Sequence, residues 1–340
     1  MSCHDITVAV QTLRRGGLVA FPTETVYGLG ADATNPAAVA RIFAVKGRPP
    51  TNPLIIHVAD ESTARRFARR WPAAAAKLAR AFWPGPLTII VPRRRSIVGA
   101  ATAGLPTAGF RCPDHPLALE MLRRFGKPVA APSANRSTRV SPTTAQHVRE
   151  ELGDAVDFIL DGGPCRVGIE STVLDLSGER PLILRPGAVT PNQIRQLIGP
   201  VRVVRHTAAA GGPARSPGQQ RRHYAPAAAA CRFSSVDALR ALRWCREHAD
   251  RRCAVLVLAS AAQFAAGMPP RHRLVQMPPT PGQYARRLYG TLRQLDRDNT
   301  EVILIEMPPR DDQWLAVRDR LLRATVTLSA LEKRMGGRTC

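Results

Sequence analysis

The apolar runs of this chain constrain its fold more than any other feature. Stretches such as Leu18–Phe21, Leu54–Val58 and Leu87–Val91 are apolar almost throughout instead of alternating between apolar and polar residues. Strands with this pattern are buried on both faces, as in a sheet that helices cover on two sides. Helix signals separate the runs, and one predicted helix begins at Pro36 and stops at Gly47. The N-terminal part of the chain therefore predicts an α/β fold.

The pattern changes over residues 206–229, where Ala, Gly, Pro, Arg and Ser dominate and no hydrophobic periodicity remains. This composition is typical of an interdomain linker. Strand and helix patterns then resume, so we expect one domain over 1–205, the linker over 206–229 and a smaller α/β domain over 230–340. The smaller domain contains neither a G-x-G-x-x-G nor a P-loop motif. Within the linker, His223 and Tyr224 form an unusual pair beside Arg residues.

The formal net charge of +23 indicates anionic partners such as nucleotides, RNA or acidic metabolites. Charge alone does not establish RNA binding, because most Arg side chains lie on solvated helix faces. The seven Cys include no C-x-x-C pair, which favours small buried residues over a disulfide framework or a zinc site. No apolar run reaches the roughly 18 to 20 residues of a membrane helix, and no signal-peptide pattern is present, so we expect a cytoplasmic protein without a membrane partner.

Polar residues follow two of the predicted elements. The segment 21–30 places two Thr hydroxyls, a carboxylate and a Tyr after a strand, where open α/β sheets bind ligands; a capped turn is the alternative. Lys46 and Arg48 lie at a helix end before a Pro-rich loop that contains Asn52. The helix dipole favours basic residues there, whereas a cation pair that leads into a buried strand suits phosphate or carboxylate recognition.

Further candidates lie in or after strands. His57 lies in an apolar strand, where a hydrogen-bonded core residue is the more common role. Arg111 lies in a strand that should be mostly buried, so it needs an anion, either a structural carboxylate or the carboxylate of a substrate. Ser133 and Asn135 follow a strand and direct a hydroxyl and an amide to one side, although an N-cap and an Asx-turn would also explain them.

Together and in this order, these segments resemble the YrdC-like family. The motifs are P-T-E-T-V-Y-G-L, K-x-R, N-P-L-I-x-H, W-P-G-P-L-T, R-x-P, S-A-N, E-S-T-V and R-P-G. The island S-P-G-x-x-x-x-H-Y-A-P is similar to the linker of the long, two-domain members, which are threonylcarbamoyl-AMP synthases. The resemblance is dense from residue 10 to about 226 and implies a twisted open sheet with flanking helices and a basic cavity. It also implies a smaller C-terminal, Rossmann-like α/β domain, which matches in size and position.

Members of this family combine L-threonine, bicarbonate and ATP into threonylcarbamoyl-AMP and release pyrophosphate. A threonylcarbamoyl transferase then modifies the adenosine beside the anticodon of certain tRNAs. The resemblance thus implies a nucleotidyltransferase that uses Mg²⁺ with ATP, has no organic cofactor and holds no metal through its own side chains. It leaves room for weak tRNA binding. Two alternatives stay open: a non-catalytic RNA-binding module of this fold, and a carbamoyl-adenylating relative.

The resemblance also implies roles for individual residues, with Lys46 and Arg48 in the catalytic role at the phosphates. The implied ATP contacts are Lys46, Arg48, Asn52, Thr107, Ala131, Asn135, Ser141, Arg185 and Tyr224. The implied threonine contacts are Thr25, His57, Arg111, Ser133 and Ser171. Arg111 is expected on the threonine carboxylate. Tyr224 matches a linker tyrosine that folds over the nucleotide, so we expect residues 216–226 to form a lid that excludes water.

Overall fold

The computed structural model describes residues 3–204 and 223–335, which form two compact units. Residues 138–140 group with the second segment, and the other residues up to 204 form the first unit. Both units are α/β, which confirms the predicted fold class and the predicted second domain. Most of the predicted linker, 206–229, lies outside the described residues, so the predicted domain limits stay a prediction.

The first unit is built around a mixed ten-stranded sheet in the order β10-β9-β8-β4-β5-β3-β6-β2-β1-β7. Its strands are β1 (Val19–Phe21), β2 (Gly28–Asp32), β3 (Ile55–His57), β4 (Leu87–Pro92), β5 (Thr107–Arg111), β6 (Val129–Ala130), β7 (Phe158–Ile159), β8 (Thr172–Asp175), β9 (Leu182–Arg185) and β10 (Arg202–Val203). The pairs β1–β7, β3–β5, β4–β8 and β9–β10 are parallel, and the other neighbours are antiparallel.

The helices of this unit are α1 (Cys3–Arg14), α2 (Pro36–Lys46), α3 (Glu61–Phe67), α4 (Ala73–Phe82), α5 (Pro116–Phe125), α6 (Ala145–Leu152) and α7 (Pro191–Ile198). Helix α2 begins and ends as its sequence predicts. The Asn35 side chain accepts hydrogen bonds from the first backbone N–H groups, and Gly47 ends the helix in the left-handed conformation with φ 59°. The Gly47 and Arg48 N–H groups then bond to the carbonyls of Ala44 and Phe43, which fixes the direction in which the chain leaves α2.

Helices cover both faces of the sheet, as the apolar strand runs predict. In β1, Ala20 belongs to the main buried cluster, whereas Val19 and Phe21 belong to a second cluster with residues of α1 and α5. Successive residues of a strand point to opposite faces, so the two clusters lie on opposite sides of the sheet. The same alternation places Ile56 of β3 and Phe110 of β5 in the main cluster. Their neighbours in the strands therefore point to the other face.

The second unit has a five-stranded sheet in the order β13-β12-β14-β11-β15, and every neighbouring pair is parallel. Its strands are β11 (Ala229–Phe233), β12 (Cys253–Val257), β13 (Arg273–Gln276), β14 (Val302–Glu306) and β15 (Val326–Thr327). Its helices are α8 (Ala238–Glu247), α9 (Ala261–Ala265), α10 (Pro281–Arg297), α11 (Leu315–Ala324) and α12 (Leu328–Met335). This open parallel sheet with connecting helices is the predicted Rossmann-like architecture.

The structure shows three further local features. A 3₁₀ turn over Ser235–Asp237 precedes helix α8, and Asp237 takes the N-cap position. No helix in the described part of the chain is long and apolar enough to cross a membrane. Five cysteines are buried, as expected, and burial raises the pKa of each of these thiols to about 12: Cys112, Cys165, Cys231, Cys245 and Cys253.

Candidate active site

A row of polar side chains crosses the sheet face opposite the main core. His57 of β3 and Arg111 of β5 are direct partners in the parallel register. Thr88 of β4 and Ser171, which precedes β8, continue the row with hydroxyl oxygens 2.8 Å apart. Gly109 of β5 lies beside Thr88, and an added Cβ there would come within 2.9 Å of the Thr88 methyl carbon. The site therefore lies on a sheet face as well as at strand ends, which the strand-end rule alone does not predict.

Arg111 is the charged centre of this row and is only 4% exposed. Its Nη2 group donates to the Thr25 hydroxyl at 2.8 Å and forms an ion pair with Glu24 Oε2 at 2.8 Å. The same carboxylate oxygen accepts the Asp114 N–H at 3.0 Å. Of the two anions that the sequence allows for Arg111, the structural carboxylate is present as Glu24. The Arg111 Nε group and Glu24 Oε1 are buried without a hydrogen-bond partner among the described residues, so the pair retains capacity for a ligand.

The loop after β1 brings Thr25 to Arg111. The Thr23 hydroxyl accepts hydrogen bonds from the Thr25 and Val26 N–H groups and donates to the Val26 carbonyl at 2.6 Å, so the loop is a hydroxyl-capped turn. The capped-turn alternative and the ligand-site alternative are thus compatible, since the turn itself holds Thr25 in place. Thr25 also accepts the Gly168 N–H through its carbonyl at 3.1 Å, which ties this loop to the segment before β8.

His57 is buried beside Arg111 and packs edge-on against Phe21, with ring centroids 5.5 Å apart. Burial, together with the smaller effect of the positive charge of Arg111, lowers the pKa of His57 to about 3. The imidazole is therefore neutral near pH 7 and offers one donor and one acceptor. Its Nδ1 atom is buried and has no hydrogen-bond partner among the described residues. The role of a hydrogen-bonded core residue does not explain why Nδ1 is buried without a partner, whereas a bound polar ligand would supply that partner.

Lys46 forms a second cationic centre at the end of α2 and is 3% exposed. Its ammonium group donates to the Ser133 carbonyl at 2.6 Å and also to the Asn135 carbonyl. Burial lowers the pKa of Lys46 well below its usual range, and the charge of Arg48 acts in the same direction. A bound anion would oppose both effects. The helix-dipole explanation is insufficient here, because the side chain reaches a loop 87 residues away in sequence.

Arg48 and Asn52 lie in the loop that follows α2, and both are buried. Arg48 Nε donates to the Asn52 carbonyl at 3.0 Å, and Arg48 Nη2 donates to the Pro53 carbonyl at 2.8 Å. Both polar atoms of the Asn52 side chain are buried without a hydrogen-bond partner among the described residues. Leaving a buried amide unsatisfied costs about 1 to 3 kcal/mol, so a polar ligand at Asn52 has a physical basis.

The Ser133–Asn135 loop is held from both sides. Ser133 forms an isolated bridge with Gly28, and the Ala134 N–H bonds to the Tyr27 carbonyl at 2.8 Å. The Asn135 side chain donates to the Arg136 carbonyl at 2.8 Å, which is a local contact different from the Asx-turn that the sequence allows, because there the side-chain oxygen would accept. Because the same loop supplies two carbonyls to Lys46, the K-x-R and S-A-N motifs form one cluster.

The E-S-T-V and R-P-G motifs meet at the other end of the polar row. Arg185 donates through Nε to the Ser171 carbonyl at 3.1 Å and through Nη2 to the Ser171 hydroxyl at 3.2 Å. Gly187 packs so closely that an added Cβ would lie 2.2 Å from the Thr172 nitrogen. The Ser141 hydroxyl donates to a carboxylate oxygen of Glu170 at 2.6 Å. Ser171 therefore links the start of β8 to β4 and β9, and its neighbour Glu170 links this point to Ser141.

Three predicted ATP contacts remain to be described, namely Ala131, Thr107 and Tyr224. Ala131 offers no side-chain group and ties β6 to β3 through its N–H, which bonds to the Ile55 carbonyl at 2.8 Å. Thr107 lies at the opposite end of β5 from Arg111. Tyr224 belongs to the second compact unit, where its buried ring stacks on Tyr289 at 5.9 Å. The expected lid remains a prediction, because residues 216–222 lie outside the described residues.

Some functional residues were not assigned from the sequence. Glu24 is the ion-pair partner of Arg111, Glu170 accepts from Ser141, and Thr88 bonds to Ser171. All three lie inside the motifs P-T-E-T, E-S-T-V and W-P-G-P-L-T. Membership of these motifs could have pointed to them, whereas the residue type alone could not.

Family models match both parts of the chain. The model of the Sua5, YciO and YrdC proteins, described as "Telomere recombination", matches residues 11–187. The chain belongs to this family. A second model, described as the C-terminal domain of threonylcarbamoyl-AMP synthase, matches residues 189–326. The predicted resemblance to the long, two-domain members is thereby confirmed.

Relatives in the Sua5/YciO/YrdC family align with nearly the whole chain. The threonylcarbamoyl-AMP synthase of Pyrococcus abyssi is 39% identical over 329 residues, which is 94% of each chain. That of Bacillus subtilis is 40% identical and covers 95% of this chain and 94% of its own. The crystal structure of P. abyssi Sua5 complexed with L-threonine matches with a TM-score of 0.86 at 38% identity, over 94% of each chain. The predicted YrdC-like fold with a second domain is thus that of the Sua5 structures.

Proposed function

We propose that this chain is a threonylcarbamoyl-AMP synthase that joins L-threonine, bicarbonate and ATP and releases pyrophosphate. The observation that carries the proposal is a pair of buried cationic centres within the first unit, Arg111 on the sheet face and Lys46 with Arg48 at the end of α2. Two centres suit two anionic substrates, the threonine carboxylate and the triphosphate. Relatives that align with nearly the whole chain and are named for this reaction support the same assignment.

The threonine end is proposed at Arg111, Thr25 and His57. The Arg111 Nε group, which has no partner among the described residues, would bind the amino acid carboxylate. The neutral imidazole of His57 would hydrogen-bond a polar group of threonine through Nδ1 without repelling its amine. Ser133 and Ser171 are proposed to complete this end. The structure of P. abyssi Sua5 with L-threonine supports threonine as the amino acid.

The nucleotide end is proposed at Lys46, Arg48 and Asn52. Two buried cations beside each other need an anion to offset their repulsion, and phosphate oxygens would supply it. The free amide of Asn52 would bond to the nucleotide. The other proposed ATP contacts are Thr107, Ala131, Asn135, Ser141, Arg185 and Tyr224.

The chemistry requires no protein nucleophile. The threonine amine attacks the carbon of bicarbonate-derived CO₂ and loses a proton, which forms a carbamate. A carbamate oxygen then attacks the α-phosphorus of ATP as the bond to the β-phosphate oxygen breaks, so pyrophosphate leaves and the carbamate–AMP anhydride remains. The chain would contribute alignment of two anions and neutralisation of phosphate charge, which makes it a nucleotidyltransferase.

Mg²⁺ is proposed to arrive with ATP. Among the described residues there is no group of three or more His, Cys, Asp or Glu side chains that could hold a metal ion. The ion would therefore be held by phosphate oxygens and water, which is how Mg²⁺ is commonly held beside a triphosphate. We further propose that the product passes to a tRNA-modifying threonylcarbamoyl transferase, with residues 216–226 as the lid that protects it from water.

The decisive experiment measures pyrophosphate release from ATP in the presence and absence of threonine and bicarbonate. Wild type should require both, and Lys46→Ala should lower kcat/KM about 100-fold or more, because a buried cation at the phosphates is lost. Lys77→Ala is the matched control, since Lys77 is exposed on α4 and should leave the rate unchanged. Circular dichroism would establish that both variants fold.

Two results would contradict the proposal. Pyrophosphate release that depends on carbamoyl phosphate and not on threonine would identify a carbamoyl-adenylating relative. Steeply salt-dependent RNA binding with no threonine-dependent ATP consumption would identify an RNA-binding module.

A further inference from the structure

The second unit contains a cleft of about 700 Å³ that the proposed reaction does not use. Its lining residues follow three neighbouring parallel strands: 234–237 after β11, 258–259 after β12, and 307–310 after β14. The cleft thus lies at the carboxyl ends of the central strands of the sheet. Its volume falls within the roughly 300 to 1,000 Å³ of small-molecule sites.

The chain connections make this the place where a sheet of this type binds ligands. From β12 the chain continues to β13 on one side, whereas from β14 it continues to β15 on the other side. The connections of two adjacent strands therefore diverge and leave a crevice between them. Open α/β sheets bind their ligands at this topological switch point.

One acidic group in the cleft is already hydrogen-bonded by the chain itself. Glu306 ends β14 and is 2% exposed. Its Oε2 atom accepts the Leu258 N–H at 2.7 Å, the Ala259 N–H at 3.1 Å and the Ser260 hydroxyl at 2.8 Å. The backbone groups after β12, which could otherwise bind a phosphate, are thus used by the chain itself. A ligand anion must bind on the β11 and β14 side of the cleft.

That side is basic. The lining includes Arg232, Arg240, Arg310 and Arg318 against Asp237 and Glu306. Arg240 is paired with Glu332. Arg310 is exposed and makes no ion pair or hydrogen bond with the described residues, and its charge lowers the pKa of Arg318 after the larger effect of burial. Arg310 and Arg318 repel each other in the cleft, and the charge of Asp311 offsets part of the effect at Arg318, so the pair favours binding of an anion.

The rim of the cleft is apolar. The large apolar side chains that stand out as exposed in the described residues are Val236, Leu239 and Leu322, at 90%, 68% and 48%. Leu322 lines the cleft, and the other two adjoin lining residues in sequence. Exposed apolar groups beside the cations of the cleft suit a ligand that has both a phosphate and a ring.

We propose that this cleft binds a phosphorylated small molecule of nucleotide size. Its phosphate lies at Arg310 and Arg318, and its ring lies against the apolar rim at Leu322. This is a second ligand site, formed by the second unit alone and separate from the site proposed for threonine and ATP.

The test uses the full chain with AMP and inorganic phosphate as probes in titration calorimetry. A Lys46→Ala background weakens the phosphate centre of the first unit, and the part of the remaining AMP binding that a change at Arg310 removes reports on the cleft. Arg310→Glu in that background should weaken AMP binding by about tenfold to 100-fold, the effect of losing a charge-assisted hydrogen bond. Arg243→Glu is the matched control, because Arg243 is exposed on α8, lies outside the cleft lining and makes the same charge change.

A photoreactive azido-AMP, mapped by mass spectrometry, should label peptides that contain residues 232–240 or 306–329. AMP should bind more tightly than inorganic phosphate, and equal affinity would refute the role of the apolar rim. No AMP binding in the Lys46→Ala background, or equal affinity in the Arg310→Glu and Arg243→Glu variants, would overturn the proposal. Because Arg310→Glu alone should retain threonine-dependent pyrophosphate release, failure of this proposal is distinguishable from failure of the proposed enzymatic function.

Discussion

The buried ion pair between Arg111 and Glu24 allows a structural role and a substrate-binding role to be measured separately. Its two side chains are 4% and 2% exposed, and the charged atoms are 2.8 Å apart. Replacing Arg111 by Met leaves the Glu24 carboxylate with the Asp114 N–H as its remaining hydrogen bond in the described residues. Removing one partner of a buried pair lowers the free energy of unfolding by about 3 to 5 kcal/mol, because the other charge stays uncompensated.

Removing both charges should cost much less. A Glu24→Leu and Arg111→Met double variant replaces the pair by apolar groups of similar volume, a change that is often neutral or stabilising. The double-mutant cycle should therefore give a coupling energy of at least about 3 kcal/mol. Arg124→Met is the control, because it breaks an exposed pair with Glu120 on one helix, which is worth only about 0.3 to 0.5 kcal/mol.

Threonine then tests the second role of Arg111. At a threonine concentration about 100 times its Kd, a ligand that binds only the native state raises the free energy of unfolding by about 2.7 kcal/mol. Urea unfolding with and without threonine should show this increase for wild type and not for the double variant. An equal increase in both would refute the assignment of Arg111 to the threonine carboxylate. Single variants that lose less than about 1 kcal/mol would refute the argument from burial.

Two further outcomes follow from burial and close packing. Because the pKa of His57 is lowered to about 3 in the native state, the unfolded imidazole takes up a proton first as the pH falls below about 6.5, and stability is lost. Urea unfolding should show that wild type loses about 2 kcal/mol of unfolding free energy between pH 6.5 and 5. The His57→Gln variant should lack this loss, and an unchanged pH dependence in the variant would contradict the lowered pKa of His57. Gly187→Ala should prevent folding or lower the melting temperature strongly, since its Cβ would lie 2.2 Å from the Thr172 nitrogen, whereas Gly178→Ala, with open space around it, should melt like wild type in circular dichroism.

Local signals in the sequence predicted much of the fold. The caps of α2 at Asn35 and Gly47 are local hydrogen-bonding devices, so the residue types alone indicate both ends of the helix. The strand runs predicted a sheet covered on both faces, which Ala20 and Phe21 bear out by joining different clusters. Helix α4 is not among the elements predicted from the sequence, because its buried stripe of Ala75, Leu78 and Ala79 lies among further Ala residues and stands out little.

The candidate site was predicted as a set of residues and not as a geometry. Strand order decides which residues meet, and it depends on contacts between segments far apart in sequence. His57 and Arg111 become neighbours because β3 pairs with β5, a pairing that neither segment specifies by itself. Lys46 reaches the Ser133 carbonyl for the same reason. The alternatives that the sequence leaves open for His57, Arg111 and Lys46 could therefore be decided only from the three-dimensional structure.

Glu24 has a consequence for how the site selects its ligand. A substrate carboxylate at Arg111 must share the guanidinium with a carboxylate that the chain already holds there, at 2.8 Å. Two carboxylates on one cation repel each other unless each has donors of its own, and Glu24 has the Asp114 N–H at 3.0 Å. The incoming carboxylate would need a donor of its own too, and the Arg111 Nε group lies at the same place. A ligand with a single carboxylate and a neighbouring amine fits this balance, because the amine offsets the charge of Glu24, whereas a dicarboxylate would add repulsion. The arrangement thus favours a monocarboxylic amino acid, which agrees with threonine as the proposed substrate.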